Sequence, residues 1–234
     1  MVPPSEHTSK QFDADLEDIR SRVLQMSGVV EAQIVAATSA FATGDVDAIK
    51  QVIDTERRVN QLEKDIDDAC VHLVARRQPA ASDLRLVMGI SKIVTDLERI
   101  GDEAEKIARM AHSVHERGAL TVPLLADVRR TATHAATLLR GVLDSFARLN
   151  ADEAGKLIQE DRLIDDEFRA IMRQLITYMM EDPRTISTAL DIVWIAKAIE
   201  RVGDHAKNIA EQVIYIVSGA DVHHSGANPG TQGA

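Results

Sequence analysis

The segment IVTDLERIGDEAEKIA, residues 93–108, returns in the second half of the chain as IAKAIERVGDHAKNIA, residues 195–210. The two copies align without a gap and share the pattern Glu-Arg-Ile/Val-Gly-Asp, at 98–102 and 200–204. Around the first copy, apolar residues recur at alternating steps of four and three, the pattern of a long helix packed in a bundle. This apolar stripe comprises Leu86, Ile90, Ile93, Leu97, Ile100, Ala104, Ile107 and Ala111.

A second pair of related segments lies upstream of the first pair. Residues 41–60 align without a gap on residues 146–165, with Phe41 and Phe146 among the identical positions. Solenoid repeats have periods of 20 to 50 residues, so a repeat near 100 residues indicates a duplicated domain instead. We therefore predict two related halves.

Helix-breaking residues divide the chain into six segments with helical periodicity and short connections, which favours up-and-down helices. The sequence predicts an all-α protein of six long helices, folded as two tandem, pseudo-symmetric three-helix bundles. The six segments are 10–43, 45–77, 83–117, 122–149, 151–181 and 185–218. We predict the first bundle over 10–118, the second over 122–218, and a disordered tail over the Gly-, Ser- and His-rich stretch 219–234.

The composition excludes several classes of protein. A formal net charge of −10 argues against nucleic-acid binding, which needs a basic surface. Aromatic residues make up only 3% of the chain, which favours helices over sheets. Residues 1–10 lack a signal-peptide pattern, and no apolar run approaches the ~18 residues of a membrane span, so we expect a cytoplasmic protein. The single cysteine, Cys70, and the single tryptophan, Trp194, are expected in the core.

Each copy of the repeated pentapeptide places two carboxylates four residues apart, on one face of a helix. A hairpin folded about Pro79, or about the Asp182–Pro183 junction, sets a polar pair of the preceding helix at the same height. Each half should therefore gather four oxygen-bearing side chains at the rim of its bundle. The first acid set comprises Glu56, Asn60, Glu98 and Asp102, and the second acid set comprises Asp161, Asp165, Glu200 and Asp204.

Carboxylates crowded in this way are costly unless cations, arginines or raised pKa values relieve the repulsion. One interpretation is a metal site in each half. Oxygen ligands suit magnesium, manganese, calcium or iron, whereas zinc usually takes some nitrogen or sulfur. Asn60 stands where the other pairs end in a carboxylate, which makes the first acid set the weaker candidate. The alternative is that surface arginines neutralise the acids, namely Arg57, Arg99, Arg162 and Arg201.

The chain carries no signature of catalysis. It has no Gly-rich phosphate loop, no Glu-x-x-His pair of the di-iron bundles and no framed nucleophile. We therefore predict that it is not an enzyme. Two alternatives stay open, which are a metal-dependent enzyme that uses the carboxylates and a purely structural helical scaffold.

Two further stretches accompany the doubled pentapeptide. They are Ala75-Arg76-Arg77-Gln78-Pro79 with Ser82-Asp83-Leu84-Arg85, and Leu175-Ile176-Thr177-Tyr178-Met179-Met180-Glu181-Asp182. Together these motifs resemble the PhoU family, the accessory proteins of the bacterial phosphate-specific transport system. The resemblance covers about residues 10–218 of the chain.

The resemblance implies two pseudo-symmetric three-helix bundles that hold metal clusters through E(D)-x-x-x-D motifs. It also implies a cytoplasmic homodimer that negatively regulates the phosphate regulon. Such a protein links the ATPase subunit of the phosphate ABC transporter to the phosphate-sensing histidine kinase, and meets the membrane only through these partners. The implied metal motifs are Glu98/Asp102, Glu200/Asp204 and Asp161/Asp165, while Glu56/Asn60 departs at its last position.

Overall fold

The computed structural model describes residues 6–118 and 124–219, and every regular element within these ranges is helical. Six of the helices have 21 to 38 residues, and one has seven. They are α1 (Glu6–Thr43), α2 (Val46–Arg77), α3 (Ala81–Glu116), α4 (Leu125–Arg148), α5 (Ala151–Leu157), α6 (Asp161–Glu181) and α7 (Ile186–Ser218). The prediction of an all-α fold with six long helices is confirmed.

The turns form where the sequence places its helix breakers. Gly44 follows α1 with a φ of 71°, a conformation that glycine adopts without steric cost. The Asp45 side chain then caps α2 by accepting the backbone N–H groups of Asp47 and Ala48. At the other end of α2, Gln78 adopts a left-handed conformation directly before Pro79, which cannot continue the helix. These turns fold α1, α2 and α3 back on one another.

The fifth predicted segment, 151–181, forms two consecutive helices, α5 and α6, separated by a short turn. The backbone N–H groups of Gln159 and Glu160 donate to carbonyls three residues back, at 3.1 and 3.0 Å, instead of four. This tighter turn separates α5 from α6, because three-residue hydrogen bonds wind the chain more narrowly than an α-helix. As a result, Asp161 is the first residue of α6.

The centre of the molecule is the pair of helices α3 and α7. Helix α3 also packs on α1 and α2, and α7 also packs on α4, α5 and α6. The two central helices run antiparallel: Arg117, just after α3, forms an ion pair with Asp191 near the start of α7 at 2.6 Å. At the opposite end, Gly219 lies beside Arg85, near the start of α3. The two predicted hairpins therefore point in opposite directions along one molecule.

The predicted apolar stripe of α3 lies in the hydrophobic core. Leu86 is partly buried against this core, and every other member of the stripe is fully buried. Phe41 and Phe146, the aligned phenylalanines of the two halves, are both 0% exposed. The pseudo-symmetric arrangement of two three-helix bundles is thus built on equivalent buried positions, as the repeats predict.

One core prediction is wrong, and one is confirmed. Cys70 is buried, as expected. Trp194 is 62% exposed, because it lies on the outer side of α7 while Ile192 and Ile195 occupy the inner side. An isolated apolar side chain in a helical segment does not by itself indicate burial.

The predicted bundle limits, 10–118 and 122–218, stay predictions. Residues 119–123 and all of the predicted tail except Gly219 lie outside the described residues, so the prediction of a disordered tail concerns residues without a described structure. Within the described ranges, none of the helices is both long enough and apolar enough to cross a membrane.

Candidate metal centre

The first acid set lies where α2 and α3 run side by side. Glu56 projects from α2, and Glu98 and Asp102 project from successive turns of α3. One carboxylate oxygen from each of the three lies within 4.8 Å of the others. This spread is about twice the usual metal–oxygen distance of roughly 2.0–2.6 Å, so the three oxygens could share one cation. Among the described residues, no other group of three or more His, Cys, Asp or Glu meets this criterion.

Glu56 is the most deeply placed member of the first acid set, with 5% of its surface exposed. Gln33 of α1 holds it in position, since the Gln33 Nε2 atom donates to Glu56 Oε2 at 3.0 Å and to the Val52 carbonyl at 3.1 Å. The other oxygen, Glu56 Oε1, is buried and has no hydrogen-bond partner among the described residues. A buried carboxylate oxygen without a donor is costly, which points to a missing proton or cation.

Gly101 makes this close arrangement possible. A Cβ atom at this position would lie 2.7 Å from Glu56 Oε2 and 3.3 Å from Gln33 Oε1. The glycine therefore lets a carboxylate of α2 reach the backbone of α3, at a cost in helix propensity of about 1 kcal/mol. The room left by the missing side chain is filled by the Glu56 carboxylate.

The electrostatics of the first acid set show the strain of gathering these acids. The pKa of Glu56 is raised to about 7, mainly by burial, with the hydrogen bond from Gln33 opposing the shift and the carboxylates of Asp102, Glu105 and Glu98 adding to it. Burial and Asp102 also raise the pKa of Glu98. A cation placed among these oxygens would remove the repulsion that produces these shifts.

Asn60, the fourth predicted member, is half-buried and lies one turn beyond Glu56 on the same face of α2. Its side-chain carbonyl is an oxygen donor of the kind that calcium and magnesium accept. The sequence made this set the weaker candidate because of Asn60, yet it is the set in which three carboxylates converge.

The second acid set spans α6 and α7. Asp161 is 4% exposed, and its Oδ2 atom lies 3.6 Å from the Nζ atom of Lys207. Glu200 accepts a short hydrogen bond from the Nζ atom of Lys197, one turn earlier on α7. Asp165 forms a longer ion pair with Arg169 at 3.8 Å. Three of the four carboxylates therefore face cations, Glu200 and Asp165 within their own helices and Asp161 across the α6–α7 contact.

The carboxylates of the second acid set still influence one another. Burial raises the pKa of Asp161, with Lys207 opposing the shift and Asp165 and Glu200 adding to it. Partial burial and the charge of Asp161 raise the pKa of Asp204. Gly203 plays the part of Gly101 here, because a Cβ atom on it would lie 3.0 Å from Asp161 Oδ1.

An open groove of about 540 Å³ runs between α3 and α7 and separates the two acid sets. Asp102 and Asp204 both line it, one from each set. Glu103 crosses the groove floor through ion pairs with Lys106 at 2.8 Å and with Arg201 at 3.3 Å. The two sets thus lie on either side of one central helix pair.

The structure shows which acids pair with His205 and with the four arginines near the two acid sets. His205, which directly follows Asp204, places its Nδ1 atom 2.8 Å from Asp96 Oδ1 across the α3–α7 contact. The four arginines do not act as a group. Arg99 lies 3.6 Å from Glu98, Arg162 is exposed, and the others pair with different acids, Arg57 with Asp54 and Arg201 with Glu103.

Sequence reasoning missed Gln33, Lys197 and Lys207. Gln33 interrupts an otherwise apolar face of α1 between Val30 and Ile34, which is a signal that a buried polar partner is required. The lysines could have been found by comparing the aligned repeats position by position, rather than only at their identical residues.

The model of the PhoU domain family matches residues 23–111 and 128–213, once in each half. The chain belongs to the PhoU family. Its resemblance to that family in sequence motifs is therefore confirmed by a match over most of its length.

Curated PhoU relatives cover nearly the whole chain. The phosphate-specific transport system accessory protein PhoU homolog of Pseudomonas aeruginosa is 49% identical over 220 residues, which is 94% of this chain and 90% of that protein. The phosphate-specific transport system accessory protein PhoU of Escherichia coli (strain K12) is 46% identical over 224 residues, which is 96% of this chain and 92% of that protein.

Solved PhoU structures share the fold. The crystal structure of PhoU from Pseudomonas aeruginosa matches with a TM-score of 0.86 at 48% identity and covers 89% of this chain and 100% of that chain. The phosphate transport system regulatory protein PhoU from Streptococcus pneumoniae matches with a TM-score of 0.83 at 26% identity, covering 90% and 99%. The two pseudo-symmetric bundles are thus the PhoU fold.

Proposed function

We propose that this chain is a metal-binding helical adaptor that negatively regulates the phosphate regulon. Its membership in the PhoU family, over nearly the full length of both halves, is the observation that carries the regulatory part of the proposal. The relatives are named accessory proteins of the phosphate-specific transport system, and the Streptococcus pneumoniae structure is titled a regulatory protein. We extend that role to this chain.

The partners follow from the same relationship. We propose that the chain links the ATPase subunit of the phosphate ABC transporter to the phosphate-sensing histidine kinase, as a cytoplasmic homodimer that reaches the membrane only through them. Bound in this way, it would keep the kinase from activating phosphate-starvation genes while phosphate is plentiful and so maintain phosphate homeostasis.

The metal part of the proposal rests on the first acid set. Glu56, Glu98 and Asp102 would hold the ion, and the Asn60 carbonyl would add a further oxygen. The residues fit such a group because all donors are oxygens, as hard cations require, and because Glu56 Oε1 is buried without a donor. Magnesium, manganese, calcium and iron suit this donor set best, and zinc less well.

The ion's role in this proposal is structural and regulatory rather than catalytic. A cation between Glu56 on α2 and the two acids on α3 would cross-link two helices and neutralise a crowded patch. The groove beside it is wide and open to solvent, and reaction sites that depend on strong electrostatic effects exclude water. We therefore propose that the chain is not an enzyme.

Deletion of the gene that encodes this chain tests the regulatory role. In cells grown with plentiful phosphate, we expect alkaline phosphatase to be expressed in the deletion strain and to be repressed again when the wild-type gene is restored. Normal repression in the deletion strain would contradict the proposed function. Co-purification of the restored protein with the transporter ATPase and with the kinase tests the adaptor role separately.

A further inference from the structure

The aligned repeats differ in charge around their shared carboxylates. At the spacing of the repeated segment, Lys197 of α7 corresponds to Thr95 of α3, and Lys207 corresponds to Glu105. The second position thus changes sign between the halves. The first half has no lysine at either position, and Lys106 of α3 forms its ion pair with Glu103, at 2.8 Å, rather than with a member of the first acid set.

The preceding helices differ in the same direction. Phe168 of α6 corresponds to Glu63 of α2 at the spacing that aligns Asp161 with Glu56. Burial and the charge of Glu98 raise the pKa of Glu63, so this glutamate adds to the negative potential around the first set. Phe168 has the opposite effect on the second set, since its ring lies 5.4 Å from the ammonium of Lys197 and helps to hold that cation.

The ammonium groups of Lys197 and Lys207 already lie beside carboxylates of the second acid set. Lys197 bonds Glu200 on one side and contacts the Phe168 ring on the other. Lys207 lies against Asp161, the most buried acid of the second set. Asp161 Oδ1, like Glu56 Oε1, is buried without a hydrogen-bond partner among the described residues, but a metal ion entering the second set would have to displace the ammonium groups of Lys197 and Lys207. An ion entering the first set meets three converging carboxylates, with Gln33 bonded to Glu56 and Arg99 3.6 Å from Glu98.

We propose that the two acid sets take different cations: the first binds a divalent metal ion, and the second is neutralised by Lys197 and Lys207 and excludes metal at concentrations that fill the first. The doubled motif then encodes one metal site and one internal salt-bridge cluster. This inference rests on the metal part of the proposed function, and it adds that Lys207 and Glu105 determine which set is which.

Charge exchange between the halves tests the proposal. Metal-free, full-length protein is dialysed against increasing Mn²⁺, and bound Mn²⁺ is counted by mass spectrometry for wild type and two exchange variants. Lys197→Thr/Lys207→Glu gives the second half the residues of the first, and Thr95→Lys/Glu105→Lys does the reverse. Helix content by circular dichroism verifies folding. Lys207→Gln provides a milder second variant that removes one ammonium without adding a carboxylate.

The matched control is Lys156→Glu. Lys156 is an exposed lysine of α5 that pairs only at the surface with Glu153 at 3.2 Å, so Lys156→Glu reproduces the charge change of Lys207→Glu, which is most of the change in the double variant, without touching either set. Any effect of overall charge on Mn²⁺ attraction appears in this control. Differences beyond the control then belong to the acid set whose surroundings each variant changes.

We expect wild type and the control to bind Mn²⁺ in one class of sites. Lys197→Thr/Lys207→Glu should add a second class, Lys207→Gln should show weaker additional binding, and Thr95→Lys/Glu105→Lys should bind at least tenfold more weakly than wild type. Unchanged binding in the exchange variants that fold would overturn the proposal, as would a wild type that binds no Mn²⁺. Repression of alkaline phosphatase is measured separately, so a failure of the regulatory role is distinguished from a failure of this inference.

Discussion

In the first half of the molecule, the carboxylates of Glu56, Glu98 and Asp102 face one another within 4.8 Å. In the second half, the corresponding carboxylates face Lys197 and Lys207 instead. The backbone frame is the same in both, with a glycine of the central helix admitting a carboxylate of its neighbour. We therefore infer that the acidic motif alone does not define a metal site, because neighbouring residues decide whether its charge is already balanced.

A duplicated fold allows its two carboxylate sets to diverge in the cations that surround them. Once a fold contains two equivalent carboxylate sets, one of them can keep its repulsion and depend on an external cation, while the other can acquire lysines. An internal ion pair holds at any metal concentration, whereas a metal-dependent pair responds to the surroundings. In our proposal, the first half is the part of the molecule that responds to a cation, and the second half is the part that does not.

Removing ligands separately from each half should give the largest effect. We expect Glu98→Gln/Asp102→Asn to weaken Mn²⁺ binding by about 100-fold or more, since it neutralises two direct ligands, and changing a group that only hydrogen-bonds to a ligand already costs about 10- to 100-fold. Glu200→Gln/Asp204→Asn should leave Mn²⁺ affinity within about twofold of wild type. Isothermal titration of metal-free proteins measures both, and equal losses in the two double variants would erase the distinction between the halves.

The pH dependence of stability should reveal the repulsion in the first half. The pKa of Glu56 is raised from its ordinary value of 4.5 to about 7, so the folded state binds this proton more tightly than the unfolded chain. The stabilisation is complete below pH 4.5 and is lost as the pH rises through 7. Glutamine at this position stays neutral and avoids that loss.

We therefore expect metal-free Glu56→Gln to be more stable than wild type by on the order of 2 kcal/mol at about pH 8. The two proteins should be nearly equal below about pH 4.5. Urea unfolding at both pH values measures the difference. Asp54→Asn, an exposed change on the same helix, serves as the control and should show no such trend. A gap for Glu56→Gln that is the same at both pH values would disprove the assigned burial effect.

The glycines of the two motifs allow a subtler comparison. Gly101→Ala should reduce Mn²⁺ affinity by about tenfold, because its Cβ would lie 2.7 Å from Glu56 Oε2 and push that ligand away. Gly203→Ala crowds Asp161 at 3.0 Å but should leave Mn²⁺ binding unchanged. Gly28→Ala is the control, since its Cβ would meet nothing within 4 Å. Equal losses in Gly101→Ala and Gly203→Ala would mean that both halves bind metal.

How far the sequence predicts this site depends on the range of the interactions involved. The apolar stripe and the proline hairpin are local features, and they suffice to bring Glu56 beside Glu98 and Asp102. The contact from Gln33 is not predictable in the same way, because it depends on how α1 is rotated against α2. Trp194 fails for a similar reason, since small rotations of a long helix decide which apolar side chains face outward.

The sequence pattern also does not predict the direction that a long side chain takes. The sequence places Lys197 one turn before Glu200, but the same spacing would allow the lysine to extend into solvent, as surface lysines usually do. The contact with Phe168 holds the Lys197 side chain against the protein, and this contact depends on how α6 is aligned along α7. The tight turn at 158–160 sets this register. It contains no glycine or proline, so the sequence gives no sign of the break between α5 and α6.

The smallest expected effect concerns the lysine of the second half. Lys207→Met leaves the buried Asp161 without its ammonium, and we expect a loss of about 0.5–1 kcal/mol in unfolding free energy at low salt, because the lysine is partly exposed and solvent screens the pair. The loss should shrink in about 0.5 M salt, where the Debye length falls to a few ångströms. Urea unfolding of metal-free protein at both salt concentrations measures it.

Lys156→Met, which removes an exposed surface pair, is the control and should cost almost nothing. If Lys207→Met is as stable as wild type at low salt, the ammonium does not neutralise Asp161 and the two halves lose their main distinction. If the expected loss occurs, added Mn²⁺ should recover part of it in Lys207→Met, because the vacated carboxylates then resemble those of the first half. If Mn²⁺ restores stability that was lost with the lysine, then both acid sets need a cation to offset their repulsion, and the two halves meet this need with different cations.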